Sequence, residues 1–410
     1  TALQTAVDAA SPGDILKIAG TCIGIQQIGG INQTAYISQS LTLQGGYTTI
    51  NWLADPDPIA YPTVLDAKNS GPVVYNHFGD TAVTLAGLTI QNGASTSSGG
   101  GVAHFGAGMV ISQSQIISNT ANDGGGIYNG TVLTVTHSTV SGNSVTTVGG
   151  GIGQDGGTLT VMDSLISGNS AILGGGGVQD DDSAGAMTFI NSTVQNNHSD
   201  DKGGGVADEG GPLTLTNSTV QGNQAQDFGG GLYKRSGPLT VTGTHILSNT
   251  ASTLGGGGIA YDGGDAFNIS DSLISGNMAR FGGGIDSYQG AVNIVRTTLQ
   301  HNRAITVGGG AINTSGGAIS LLDSTVQYNH AATNGGGIIA SPTILDEGTV
   351  ISNTTFYSNT ALGDGGGFYV NQPVVITNST ISENDSGDQG GAGYLASSAE
   401  LSLYASDAMS

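Results

Sequence analysis

Only one residue in the chain, Cys22, is a cysteine, which excludes an intrachain disulfide and any cysteine-based metal cluster. Lysine and arginine together number eight against thirty aspartates and glutamates, and the resulting net charge of −22 repels phosphate backbones and anionic headgroups. Nucleic acid is thereby excluded as an expected partner. No apolar run approaches the ~18 residues of a membrane helix, and no basic, apolar leader opens the chain at Thr1. Aromatics make up 5% of the residues and charged side chains 9%, so neither a large aromatic core nor dense surface ion pairing is available.

What is abundant is glycine, 72 of 410 residues, and it comes in a pattern. Glycine triplets end at positions 101, 126, 151, 177, 205, 231, 258, 284, 310, 337 and 367, at intervals of 25 to 30 residues. A fixed period of that length is the mark of a solenoid, in which each unit buries its apolar face only against its neighbours. The expectation is one elongated domain with a continuous core.

The columns of the repeat align on an asparagine: Asn119, Asn143, Asn169, Asn197, Asn223, Asn249, Asn277, Asn302, Asn329, Asn359 and Asn384. Three residues before each stands an apolar side chain, such as Val140, Ile274 or Phe356, and five before each stands Ser or Thr. Residues two apart on a strand share a face, so both columns point inward. A second alternating strand lies upstream, as in Leu133-Thr134-Val135-Thr136, and the triplet opens a third. Three short strands per ~26-residue coil describe an all-β, right-handed parallel β-helix, the hand following from the crossover rule. About 15 coils at one strand spacing each predict a length on the order of 70 Å. The asparagines are expected at a bend with left-handed backbone angles, their amides bonded from coil to coil.

Along the chain, residues 1–13 carry Leu3, Ala6, Val7 and Ala10 at helical spacing and stop at Ser11-Pro12-Gly13, which predicts a short N-terminal capping helix. Residues 14–83 read as irregular first coils, with a protruding loop over 46–62 that holds Trp52 and three of the nine prolines. Residues 84–410 read as the regular array without a recognisable C-terminal cap. An uncapped end is a template for further pairing, so stacking of copies end to end into filaments, or docking of other surface proteins, is an expectation of the pattern.

Gly309-Gly310-Ala311-Ile312 and Phe356-Tyr357-Ser358-Asn359 resemble the GGA[ILV] and FxxN tetrapeptides of the chlamydial polymorphic outer membrane protein repeats, found in autotransporter passengers and other bacterial surface proteins. The likeness covers about residues 84–395, with Gly commonly replacing Ala and Val or Ile replacing Phe. It implies a secreted or surface-displayed bacterial β-helix with an adhesive or structural role.

Parallel β-helices also carry polysaccharide lyases and hydrolases, so the carboxylates matter. The stretch after the triplets carries Asp155, Asp180, Asp181, Asp182, Asp208 and Glu209, a candidate Ca²⁺ ladder if successive coils stack them, or else a solvated acidic edge. Lys234 and Arg235 interrupt this column and are expected to neutralise Asp208, Glu209 and Asp262. The Gly-His-Gly and Arg-x-Lys elements of polygalacturonases are absent, and the nearest cation to Asp200-Asp201 is the adjoining Lys202, which argues against catalysis. No catalytic residue and no required cofactor is assigned. Trp52 with Tyr47 and Tyr61 is the candidate carbohydrate contact. The expected function is an extracellular structural or adhesive β-helix, with a polysaccharide-active enzyme or a carbohydrate-binding module as the alternative.

Overall fold

Each coil begins where a glycine triplet lets two backbones approach closely. Gly256 sits at φ +71, a conformation that favours glycine, and a side chain on Gly257 would strike the backbone of Met278 and Gly283 in the next coil. The chain then runs through a three-residue strand, a turn, a second strand, a sharp corner, a third strand, another corner and a two-residue strand. One coil of the second half shows the sequence: Ile259–Tyr261, Phe267–Ser270, Leu273–Ser275 and Met278–Ala279. The fourth, two-residue strand was not foreseen from the sequence. It lies directly after the asparagine and pairs in parallel with its equivalents.

The computed structural model describes residues 1–181, 184–265, 267–341, 348–396, 399–404 and 406–408. It is an all-β parallel solenoid of about 15 turns with one short N-terminal helix. Two units make up the chain, Thr1–Ser199 and Asp200–Ser410. In the first, the helix Ala2–Ala9 is capped by the Thr1 hydroxyl, which accepts from the Gln4 amide, and it buries Leu3 and Val7. The early coils include an antiparallel hairpin, Gln26–Ile28 with Ile31–Gln33, turned by Gly29 and Gly30 at positive φ.

Coil-to-coil register is strict in both units. In the first, Ile90, Ile116, Val140, Ile166 and Val194 stand in one buried column. In the second, Val220, Ile246, Ile274, Leu299, Val326, Phe356 and Ile381 do the same. Removing these side chains from water is the main favourable term, at roughly 25 cal/mol per Å² of apolar surface. The hydroxyl column is also inward: Ser138 is buried, its Oγ donates to Thr136 O at 2.8 Å and its amide donates to Ser164 Oγ at 3.1 Å.

The asparagine ladder forms, but not at the backbone angles expected for it. The left-handed residue at that corner is the one before each asparagine, for example Ser248 at φ 52, His301 at φ 55 and Tyr328 at φ 54. A second left-handed corner precedes the third strand, at residues such as Asp271, Arg296 and Asp323. The twist at the preceding residue turns each asparagine side chain inward. Asn249 Nδ2 then donates to Asn277 Oδ1 at 3.0 Å and to Val220 O at 3.0 Å, and Asn277 Oδ1 also accepts the Asn249 amide at 2.9 Å. Every polar atom of this buried amide is therefore satisfied. At the other corner, Arg296 clamps Asp271 through two bonds of 2.6 and 2.7 Å, an exposed pair that holds the Asp271 carboxyl below its ordinary range.

Asn277→Ala leaves the Asn249 amide and Nδ2 without their acceptor and the Ile246 carbonyl without its donor. The expected cost is about 2–4 kcal/mol, read as a lowered urea midpoint. Ser275→Ala, on the partly exposed third strand of the same coil, is expected to stay within about 0.5 kcal/mol of the parent.

Candidate functional site

Register decides what each carboxylate does. The first strand after a triplet alternates in, out, in, and its third residue faces the interior. In the first unit this interior column reads Asn76, His104, Asn129, Gln154 and Asp180, all buried. Asn76 Nδ2 bonds His104 Nδ1 at 3.0 Å, which places the ring proton on Nε2, and burial holds His104 neutral with its pKa lowered to about 4. In the second unit the same column reads Asp208, Lys234, Tyr261, Ser287 and Thr314. Lys234 is fully buried; its Nζ meets Asp208 Oδ2 at 2.8 Å and donates to the carbonyls of Gly210 and Gly211 at 2.5 and 2.6 Å. Burial raises the Asp208 carboxyl while the Lys234 charge pulls it back.

One residue further on, the chain faces outward at the turn, and Glu209, Arg235, Asp262 and Tyr288 follow in successive coils. Arg235 Nη1 bonds Glu209 Oε2 at 3.1 Å, and Lys202 approaches Glu209 at 3.4 Å while lying 4.7 Å above the Tyr233 ring. Tyr233 donates its hydroxyl to Asp262 Oδ2 at 2.9 Å. Asp286 belongs to neither column. It is the outward middle residue of Ile285–Ser287, in register with Ala260 before it and Asn313 after it. The turn carrying Gly255 folds over it, and a side chain on Gly255 would collide with Asp286 Oδ2 and the Phe281 ring.

These residues open a cleft of about 700 Å³ in the second unit, walled by Phe228, Arg235, Asp262, Phe281, Asp286 and Tyr288. Its two carboxylates differ in environment. Asp286 is 7% exposed; burial, reinforced by the negative charge of Asp262, pushes its pKa up to about 7 even though Asn313 Nδ2 donates to Oδ1 at 2.7 Å. Burial also raises Asp262, but the Tyr233 hydroxyl, Lys202 and Arg235 favour its charged form. Tyr288 is 58% exposed at the rim. The arrangement can accept hydroxyl donors at one carboxylate, hold a proton at the other and pack an apolar ring face between aromatics.

A family profile described as a right-handed β-helix region matches residues 173–299 and 233–408, together more than half of the chain. The chain belongs to the right-handed β-helix family. No curated protein and no solved structure matches it.

The candidate residues read from the sequence occupy other places in this β-helix. Asp180 and Asp208 point inside, where no solvated ladder can run, while Asp155 lies outside and accepts from the Tyr128 hydroxyl at 2.8 Å. Asp181 accepts from Gln179 Nε2 at 2.8 Å, Glu209 is taken by Arg235 and Lys202, and Asp182 lies outside the described residues. Among the described residues, no three His, Cys, Asp or Glu side chains converge as a metal set. Tyr47 is buried, its ring 6.1 Å from Trp52 and 4.8 Å below Lys17 Nζ, so of that trio only Trp52 and Tyr61 present surface. The cleft is not among the candidates read from the sequence because Asp286 stands inside the first strand, two residues after its triplet, one or two positions before the places that Asp208 and Glu209 take in their own coil. The signal that finds it is an aspartate in the middle of a first strand, where neighbouring coils have Ala260 and Asn313.

In the unfolded chain Asp286 ionises near its ordinary value of 3.8, whereas the folded chain holds the proton to about 7. Its contribution to stability therefore falls as pH rises through that window. Asp286→Asn, which keeps an acceptor for Asn313, is expected to be more stable than the parent above pH 7, by on the order of 2–4 kcal/mol, and to converge with it below pH 4. Thermal unfolding at pH 4 and pH 8 checks this.

Proposed function

We propose that this β-helix is an extracellular, surface-displayed protein that binds carbohydrate in the cleft between Asp262 and Asp286. The observation that carries the reading is the pairing, in one open cleft of about 700 Å³, of two carboxylates with three aromatic side chains. Sugars offer hydroxyl donors around a ring whose C–H faces are apolar, and such a cleft meets both needs. Tyr288, 58% exposed on the cleft wall, is the aromatic side chain there that a ligand can reach most readily. The net charge of −22 disfavours polyanionic glycans, which leaves neutral or amino-bearing sugars as the expected class. An adhesive role on a bacterial surface, the role suggested by the resemblance of the repeats to those of polymorphic outer membrane proteins, follows if the bound glycan belongs to another surface.

Isothermal titration of the full chain with chito-, cello-, xylo- and manno-hexaose, with hexagalacturonate as the anionic control, tests the proposal. Binding of at least one neutral or amino sugar is expected, weakened about tenfold by Tyr288→Ala, with no binding of hexagalacturonate. Absence of binding to all the neutral and amino sugars, or binding unchanged by Tyr288→Ala, contradicts it.

A further inference from the structure

The chain has eight lysines and arginines, and one of them, Lys234, is among its largest fully buried side chains. It stands in register with Asp208 of the preceding coil, and both side chains are wholly excluded from water. Tyr261, the next residue of the interior column, is also fully buried and closes the pair off on that side. A salt bridge so placed carries the cost of desolvating two charges. Its surroundings suit a reaction between the two groups as well as their attraction.

Asp208 Oδ1 accepts the Gly210 amide at 2.9 Å, whereas Oδ2 makes no aligned hydrogen bond and has Lys234 Nζ 2.8 Å away. Nζ itself donates to the Gly210 and Gly211 carbonyls at 2.5 and 2.6 Å. An amine that gives two N–H groups to those carbonyls has its lone pair left for the carboxyl. The carboxyl thus meets a nucleophile on one side and a backbone donor on the oxygen where charge would develop.

The geometry points to a covalent bond at this pair: after folding, Lys234 Nζ and Asp208 Cγ join as an amide that ties two successive coils together inside the β-helix. The ammonium first passes a proton to Oδ2, which turns the ion pair into a neutral amine and a neutral acid. Burial, which raises the Asp208 carboxyl to about 6 against the pull of the Lys234 charge, favours that exchange. The nitrogen lone pair then forms the bond to Cγ, while the Gly210 amide holds the negative charge on Oδ1. As the bond from Cγ to Oδ2 breaks, Oδ2 takes a second proton from the nitrogen and departs as water. The three ammonium protons end as one on the amide and two on the water, so no oxidant or further reactant is needed. Groups fixed in contact react at effective concentrations on the order of 10⁵ M or more, and an interior that excludes water opposes the reverse step. The amide keeps one N–H for a glycine carbonyl and has no charge to desolvate. This bond is independent of what the cleft binds.

Intact mass spectrometry of the folded full chain, run under denaturing conditions and followed by digestion and tandem sequencing, tests the proposal. The parent is expected to be lighter than its sequence mass by one water, with a branched peptide that joins the segments holding Asp208 and Lys234. Lys234→Met, which keeps the length of the side chain and removes the nucleophile, is expected at its full sequence mass, its fold checked by circular dichroism. A folded parent that keeps its full mass after prolonged incubation overturns the bond and leaves an ion pair only. A water loss that persists in Lys234→Met, or that maps to an aspartate cyclised on its own backbone, overturns it as well.

Discussion

Parallel register from coil to coil is the constraint on which the rest depends. A backbone that returns to the same place every ~26 residues stacks like on like, so a polar group in its interior can find its partner in the equivalent residue of the next coil. Asparagine meets that condition because one side chain carries both donor and acceptor. Within the second unit the chain Asn223, Asn249, Asn277, Asn302, Asn329, Asn359 and Asn384 is bonded amide to amide at 2.8–3.0 Å throughout. The left-handed residues beside it, including Tyr328 and Glu383, hold conformations that most side chains disfavour by roughly 1 kcal/mol each. Those costs are offset by the fully satisfied ladder and by the buried columns that flank it.

The same register assigns opposite fates to neighbouring residues. Asp208 lies in the interior against a buried lysine, while Glu209, the next residue, faces outward to Arg235 and Lys202. Asp286 faces outward yet is covered, because the glycine-bearing turn of the preceding coil folds across it. Desolvation of that carboxyl is thus a product of how tightly the turn closes, and the cleft is the opening that Asp262 and Tyr288 leave beside it.

Much of this was legible in the residues. The glycine period, the asparagine column and the inward hydroxyl and apolar columns specify the coil and its register, because each is a local pattern repeated many times. The helix at Ala2–Ala9 also followed from four apolar residues at helical spacing. What was not legible lies in the turns after the triplets. These vary in length from coil to coil, so reading the turn as one unit puts Asp155, Asp180 and Asp208 in a single column although the backbone turns Asp180 and Asp208 inward and Asp155 outward. The two-residue fourth strand carries too little pattern to be seen, and the cleft depends on Gly255 and Phe281, which look like ordinary turn residues until the fold brings them to Asp286.

The central claim is that a repetitive scaffold desolvates one carboxyl of the cleft while leaving its neighbour among donors and cations. Titration of the side-chain ¹³C carboxyl resonances of Asp286 and Asp262 by NMR measures this directly. The account predicts that Asp286 keeps its proton to about pH 7 and that Asp262 ionises at lower pH. Ionisation of Asp286 in the ordinary carboxylate range, near 3.8, would contradict it.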